Sequence, residues 1–332
     1  MSHRKDTDYV ALSARLHAME NRLLTRERME RMIEAKDAAD AARVLVECGY
    51  CEIPQVTAAG VEELLGDAWS HVFADLGSAV PDRALLDIFQ VKPDYHNAKV
   101  LVKAAITGAD PTPLLTEGGR YPVAALQDGF KRDDLRFCSE TYRAAVARAV
   151  ESLAATGDPQ LCDFILDRAC YGEMSAAAAS TELPFAKKYV ATLIDVANLR
   201  TVVRASRLRR GESFLLQVLL PGGSVDVTTL ARTRGEDLPQ VFPFGPLAEA
   251  AVLGGAVSAP GSGSLTAFER ACDNGVTALA GEARRIPFGP ETVIGHLHAR
   301  ELELGAIRII LTGRMAGLDG DTIRERLRDS YA

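Results

Sequence analysis

The stretch NLRTVVRA at residues 198–205 has two counterparts in the same chain, NAKVLVKA at 97–104 and AIRIILTG at 306–313. Asn97 and Asn198 lie 101 positions apart, and Asn198 and Ala306 lie 108 apart. A second phrase keeps nearly the same step: LGDA (65–68), LDRA (166–169) and FERA (268–271) recur 101 and 102 residues apart. A third, LLTEGGRYPVAAL (114–126) and LLPGGSVDVTTL (219–230), sets Gly118 and Gly222 104 positions apart. Independent phrases at one spacing point to internal repetition. We expect three related units, 1–112, 113–218 and 219–332. Each is long enough to bury a small core, and the period is too long for a stacked solenoid.

The repeated material is helical. Tyr9, Leu12, Leu16, Met19 and Leu23 recur at three- and four-residue steps, and TRERMERMIEAK (25–36) continues the stripe through Met29, Met32 and Ile33. Asp37 is suited to cap the next helix and Gly49 to stop it. Further helical runs cover 61–76 and 82–90 and the phrase from Asn97, with Pro93 acceptable only at a helix start or a kink. SFLLQVLL (213–220) reads as helix, and GGAVSAPGSGS (254–264) as a flexible connection. Aromatic residues make up only 6% of the chain, and no segment shows convincing strand alternation. The fold class is all-α.

Stepping 100° per residue from Asp195 puts Leu199, Val202 and Val203 on one face, with Asp195 and Asn198 along its edge. Arg200, Arg204 and Arg207 share another face. Asp94, Asn97, Lys99 and Lys103 repeat this arrangement in the first copy. The third keeps an acid, Glu303, and a cation, Arg308, with Ala306 and Thr312 in place of the other two. The acidic and amide edge (Asp94, Asn97, Asp195, Asn198) is expected to make buried hydrogen bonds between helices. The cations Lys99, Lys103, Arg200, Arg204, Arg207 and Arg308 have two open readings: a solvated face, or a contact with an acidic partner.

The net charge of −7 divides as −5, +1 and −3 over the three units. None has the basic excess that nucleic-acid binding requires. No apolar run approaches the ~20 residues of a membrane span, and the N-terminus lacks a signal-peptide core, so a cytoplasmic location is expected. CGYC (48–51) is a lone pair of cysteines without zinc-ligand companions, and Cys138, Cys162, Cys170 and Cys272 are scattered. A small thiol oxidoreductase using Cys48 and Cys51 is an alternative that follows from this pair alone. The six histidines form no H-E-x-x-H motif, and no phosphate-cradling glycine loop is present. No catalytic residue, metal or cofactor is expected.

NRLLTRERMERMIEA (21–35), PDYHNAKVLVKA (93–104), LIDVANLRTVVRASRLRRG (193–211) and FGPETVIGHLHARELELGAIRIILTGRMAGLDGDTIRERLR (288–328) together resemble the C subunit of the archaeal and bacterial V-type ATP synthase, whose eukaryotic relative is the d subunit of the vacuolar ATPase. The resemblance covers essentially the whole chain. It implies a funnel of three similar helical domains around a pseudo-threefold axis, with no catalysis of its own. It further implies a socket role at the cytoplasmic face of the membrane, joining the central shaft (the D and F subunits) to the proteolipid rotor ring. Ala306 departs from the Asn of the other copies, and Asp-Gly stands in GLDGDTIRERL where the family often has a proline. A generic helical scaffold of another membrane-associated complex is the alternative.

Overall fold

The computed structural model describes residues 5–53 and 55–331, and no strand occurs among them. The first helices are α1 (Val10–Glu20), α2 (Arg26–Ile33), α3 (Ala38–Glu47), α4 (Ala58–Leu76) and α5 (Ala84–Thr107). Then come α6 (Val123–Arg132), α7 (Glu140–Thr156), α8 (Pro159–Ser180), α9 (Pro184–Arg207) and α10 (Glu212–Val218). The last third supplies α11 (Val227–Arg232), α12 (Leu238–Val241), α13 (Ala248–Ala256), α14 (Thr266–Gly281), α15 (Glu291–Met315) and α16 (Gly320–Arg326). The architecture is all-α.

Helix boundaries follow local chemistry. Asp37 caps α3 by accepting from Asp40 N, and Ser139 and Asp158 do the same for α7 and α8. Gly157 ends α7 in the left-handed conformation, at φ 66°, where a side chain would be strained. Thr25 caps α2, which divides the first apolar stripe into two helices rather than one.

Of the two places open to Pro93, a helix start or a kink, the start is excluded, because Pro93 lies inside the single continuous helix α5. The residues around it, from Leu85 to Val102, are largely buried, and that packing outweighs the lost backbone bond. SFLLQVLL is helical only to Val218, after which Leu219 is extended. Leaving the helix frees the backbone of Leu220 to bond with the Asn198 side chain.

The chain divides into two compact units, one running from Trp69 to Val190 and the other combining the segment up to Ala68 with Ala191 onward. In the first, α5 and α7 both pack on α8, over a core containing Phe89, Tyr95, Tyr142, Leu166 and Met174. Phe89 stacks on Tyr189 at 5.6 Å, and Tyr95 meets Tyr142 edge-on at 5.2 Å. In the second, α15 is the central helix and is packed by α1, α2, α3, α14 and α16. Leu297, Ile307, Ile310 and Leu311 are fully buried on it.

Candidate functional site

The repeated phrases meet one another in space. On α5 the Asn97 amide donates to the Thr116 carbonyl at 2.8 Å and accepts from Thr116 N at 2.9 Å. On α9 Asn198 makes the same two-way exchange with Leu220, both bonds at 2.8 Å. Thr116 and Leu220 each lie two residues before the first glycine of a Gly-Gly turn. The turn then folds over the acid one helical turn back. Asp94 accepts from Arg120 Nε at 2.6 Å and from Tyr121 N at 3.3 Å. Asp195 accepts from Ser224 N at 3.0 Å and Ser224 Oγ at 2.5 Å.

The second glycine of each turn is required by this contact. A Cβ on Gly119 would overlap Asp94 Oδ1, and one on Gly223 would overlap Asp195 Oδ1. Both amides and both acids are buried. Burial pushes the Asp94 carboxyl up to about 6, against the pull of Arg120, and raises Asp195 as well. In the third copy Glu303 on α15 accepts from Leu24 N at 2.7 Å and pairs with Arg300. Its carboxyl too is raised by burial. Leu24 lies in the Leu23–Leu24 pair ahead of α2, 279 residues before Glu303.

The cations follow the same order. Lys99 and Lys103 on α5 pair with Asp167 and Asp163 on α8 at 2.5 and 2.7 Å. Arg200 on α9 pairs with Glu269 at 2.5 Å and Asp273 at 2.7 Å on α14, and Arg204 also reaches Glu269 at 2.7 Å. Asp167 and Glu269 occupy the same position of the LDRA and FERA phrases. The corresponding residue of LGDA is Gly66, which has no carboxylate. Arg308 on α15 instead takes Glu62, one helical turn earlier on α4, with bonds of 2.7 and 2.8 Å. Each copy of the phrase thus holds its cation to a carboxylate on another helix, α5 to α8, α9 to α14 and α15 to α4.

Five of the six candidate cations are therefore held by carboxylates of the chain itself. The sixth, Arg207, donates to the Gly263 carbonyl at 3.1 Å. The acids Glu62, Asp163, Asp167, Glu269 and Asp273 do not stand out in the sequence as partners. Two of them carried a signal even so: Asp167 and Glu269 sit at equal distances from the shared Ala of LDRA and FERA.

The family model for the ATP synthase (C/AC39) subunit matches residues 12–326. The chain belongs to that family. Among its relatives, the C subunit of the V-type sodium ATPase of Enterococcus hirae is 22% identical, over 98% of this chain and 99% of the relative. The C subunit of the V-type ATP synthase of Deinococcus radiodurans is 23% identical, over 97% and 91%. The C subunit of the A-type ATP synthase of Methanocaldococcus jannaschii is 24% identical, over 96% and 86%.

Among the described residues no cluster of three or more His, Cys, Asp or Glu is placed to hold a metal ion, and no helix is long and apolar enough to cross a membrane. Cys138, Cys162, Cys170 and Cys272 are buried, while Cys51 is exposed. Burial raises the Cys48 thiol, which lowers its thiolate fraction, and its Sγ donates to the Val44 carbonyl at 3.2 Å. His298 lies in the core against Thr277 Oγ1 at 3.2 Å.

Proposed function

We propose that this chain is the non-catalytic socket of a rotary V-type ATP synthase or ATPase, seated between the central shaft (the D and F subunits) and the proteolipid rotor ring on the cytoplasmic face of the membrane. We propose with it that the chain is built of three repeats, 1–112, 113–218 and 219–332, arranged about a pseudo-threefold axis. The observation that supports this reading is that each copy of the phrase ties its cation to a carboxylate on another helix, α5 to α8, α9 to α14 and α15 to α4, in a chain that the family model matches over residues 12–326. Helices tied in this way resist shear against one another, which torque transfer demands. Lys99, Lys103, Arg200 and Arg308 serve this bracing, and Arg204 and Arg207 remain the candidates for partner contact.

The test is reconstitution of the complex with and without the chain. Without it, the head and shaft should still hydrolyse ATP, while ATP-driven ion uptake into vesicles is lost. Adding the chain back should restore uptake. Assembly of shaft with ring and full uptake in its absence would overturn the proposal.

A further inference from the structure

Beside α9 and the start of α14 lies an open cleft of about 720 Å³. Four arginines line it, Arg204 and Arg207 from α9 and Arg326 and Arg328 from the C-terminal end, against one acid, Glu269. That is a surplus of three positive charges in a chain whose net charge is −7. Such a concentration is not explained by internal pairing. Neither Arg207 nor Arg326 has a carboxylate partner among the described residues. Arg207 uses one N–H for the Gly263 carbonyl, and Arg326 is exposed. Arg328 ties its Nε to Asp273 at 2.7 Å and one further N–H to the Arg326 carbonyl, which leaves donors over.

We propose that this cleft is a docking site for an acidic, carboxylate-rich segment of a partner protein. The charge surplus sets the sign of the occupant. The layout sets its class. Two of the arginines come from α9, one from the last residue of α16 and one from the segment just beyond it, and Arg204 is 58% exposed, so the positive charge lines an open groove rather than an enclosed pocket. A phosphate-sized anion would want converging, enclosed donors, as at a glycine-rich loop. Leu265 and Ile309 also line the cleft, giving the methylenes of glutamate side chains an apolar bed.

Glu269 does not block the site. It is held by Arg200 Nε at 2.5 Å as well as by Arg204 at 2.7 Å. An incoming carboxylate can take Arg204 while Glu269 stays paired with Arg200, so docking leaves no buried acid unpaired. Docking of this kind needs only the cleft and does not depend on the socket role.

The experiment uses the full-length chain and a fluorescein-labelled peptide of eight glutamates, read by fluorescence anisotropy at low salt. Saturable binding that weakens as salt rises is expected, with no binding of the matching glutamine peptide. The double variant Arg207→Gln/Arg326→Gln removes only charges that are not in internal ion pairs. It should bind about tenfold more weakly, with an unchanged circular dichroism spectrum. Arg31→Gln, an arginine of the exposed pair with Glu47 elsewhere on the chain, should bind like the unsubstituted protein. Three results would overturn the proposal: equal binding by the double variant, equal loss in Arg31→Gln, or displacement of the peptide by inorganic pyrophosphate at a concentration at which sulfate of equal ionic strength has no effect. The last would mark a small-anion pocket instead.

Discussion

Replacing Gly119 by alanine drives a methyl group into the carboxylate of Asp94. The added Cβ overlaps Oδ1, and Asp94 is fully buried, so the acid cannot swing into water. It must move off its donors, Arg120 Nε at 2.6 Å and Tyr121 N at 3.3 Å. Hydrogen bonds to a charged group contribute about 1.5–3 kcal/mol each. Loosening both, while Arg120 retains only its 2.5 Å pair with Glu173, should cost roughly 3–5 kcal/mol. The control is Gly172→Ala on α8, where an added Cβ meets nothing within 4 Å. There alanine should stabilise the helix by about 0.5–1 kcal/mol. Both glycines belong to the Trp69–Val190 unit, and Trp69, the chain's single tryptophan, lies against Gly118 in the same turn. Urea unfolding followed by tryptophan fluorescence therefore reports on the perturbed site. With a typical dependence of about 2 kcal/mol per molar urea, the Gly119→Ala midpoint should fall by roughly 2 M. A fall under about 0.5 M, or an equal fall for Gly172→Ala, would refute the overlap as the reason for the glycine.

Asn97→Ala and Asn198→Ala each break a reciprocal pair of backbone bonds and leave a buried N–H and C=O unsatisfied. Each should cost about 1–3 kcal/mol, Asn97 in the Trp69–Val190 unit and Asn198 in the other, measured by hydrogen exchange of Thr116 and Leu220. Burial raises the Asp94 carboxyl from 3.8 to about 6, so the folded chain binds this proton more tightly than the unfolded one. Its contribution should therefore fall by about 2 kcal/mol as pH rises from 4 to 6 and level off above about 7. Urea midpoints taken across that range should show the decline, and Asp94→Asn should flatten it. Arg308→Ala breaks a half-exposed pair with Glu62 and should cost under about 1 kcal/mol. Arg200→Ala strips two acids of a mostly buried partner and should cost about 1–3 kcal/mol more than that, by thermal melting of the two variants side by side.

The helical faces were legible because they are local. Leu199, Val202 and Val203 share a face by helix geometry alone, and all three are buried. The edge position of Asp195 and Asn198 was legible for the same reason. Their partners were not, because Leu220 and Ser224 reach them only after the chain leaves α10 as extended backbone, a break driven by the contact itself. The cations show the limit most clearly. Lys99 meets an acid 68 residues away and Arg308 one 246 away. No rule of spacing along one helix links such pairs. For Pro93 the local rule left a start or a kink open, and the packing around α5 carries the helix past it.

The bonds that α15 and α16 make to the N-terminal segment also order events during synthesis. Glu303 and Leu24 are 279 residues apart, and Arg324 and Glu30 are 294 apart. The first helices leave the ribosome long before α15 and α16 exist to cover Met32 and Ile33. The Trp69–Val190 segment is continuous and can close its core while translation proceeds. The N-terminal helices must wait until α15 and α16 have emerged, with long-range closure as the slow step. A nascent chain stalled before α15 should therefore present its N-terminal helices to chaperones and proteases, while its middle segment is already protected.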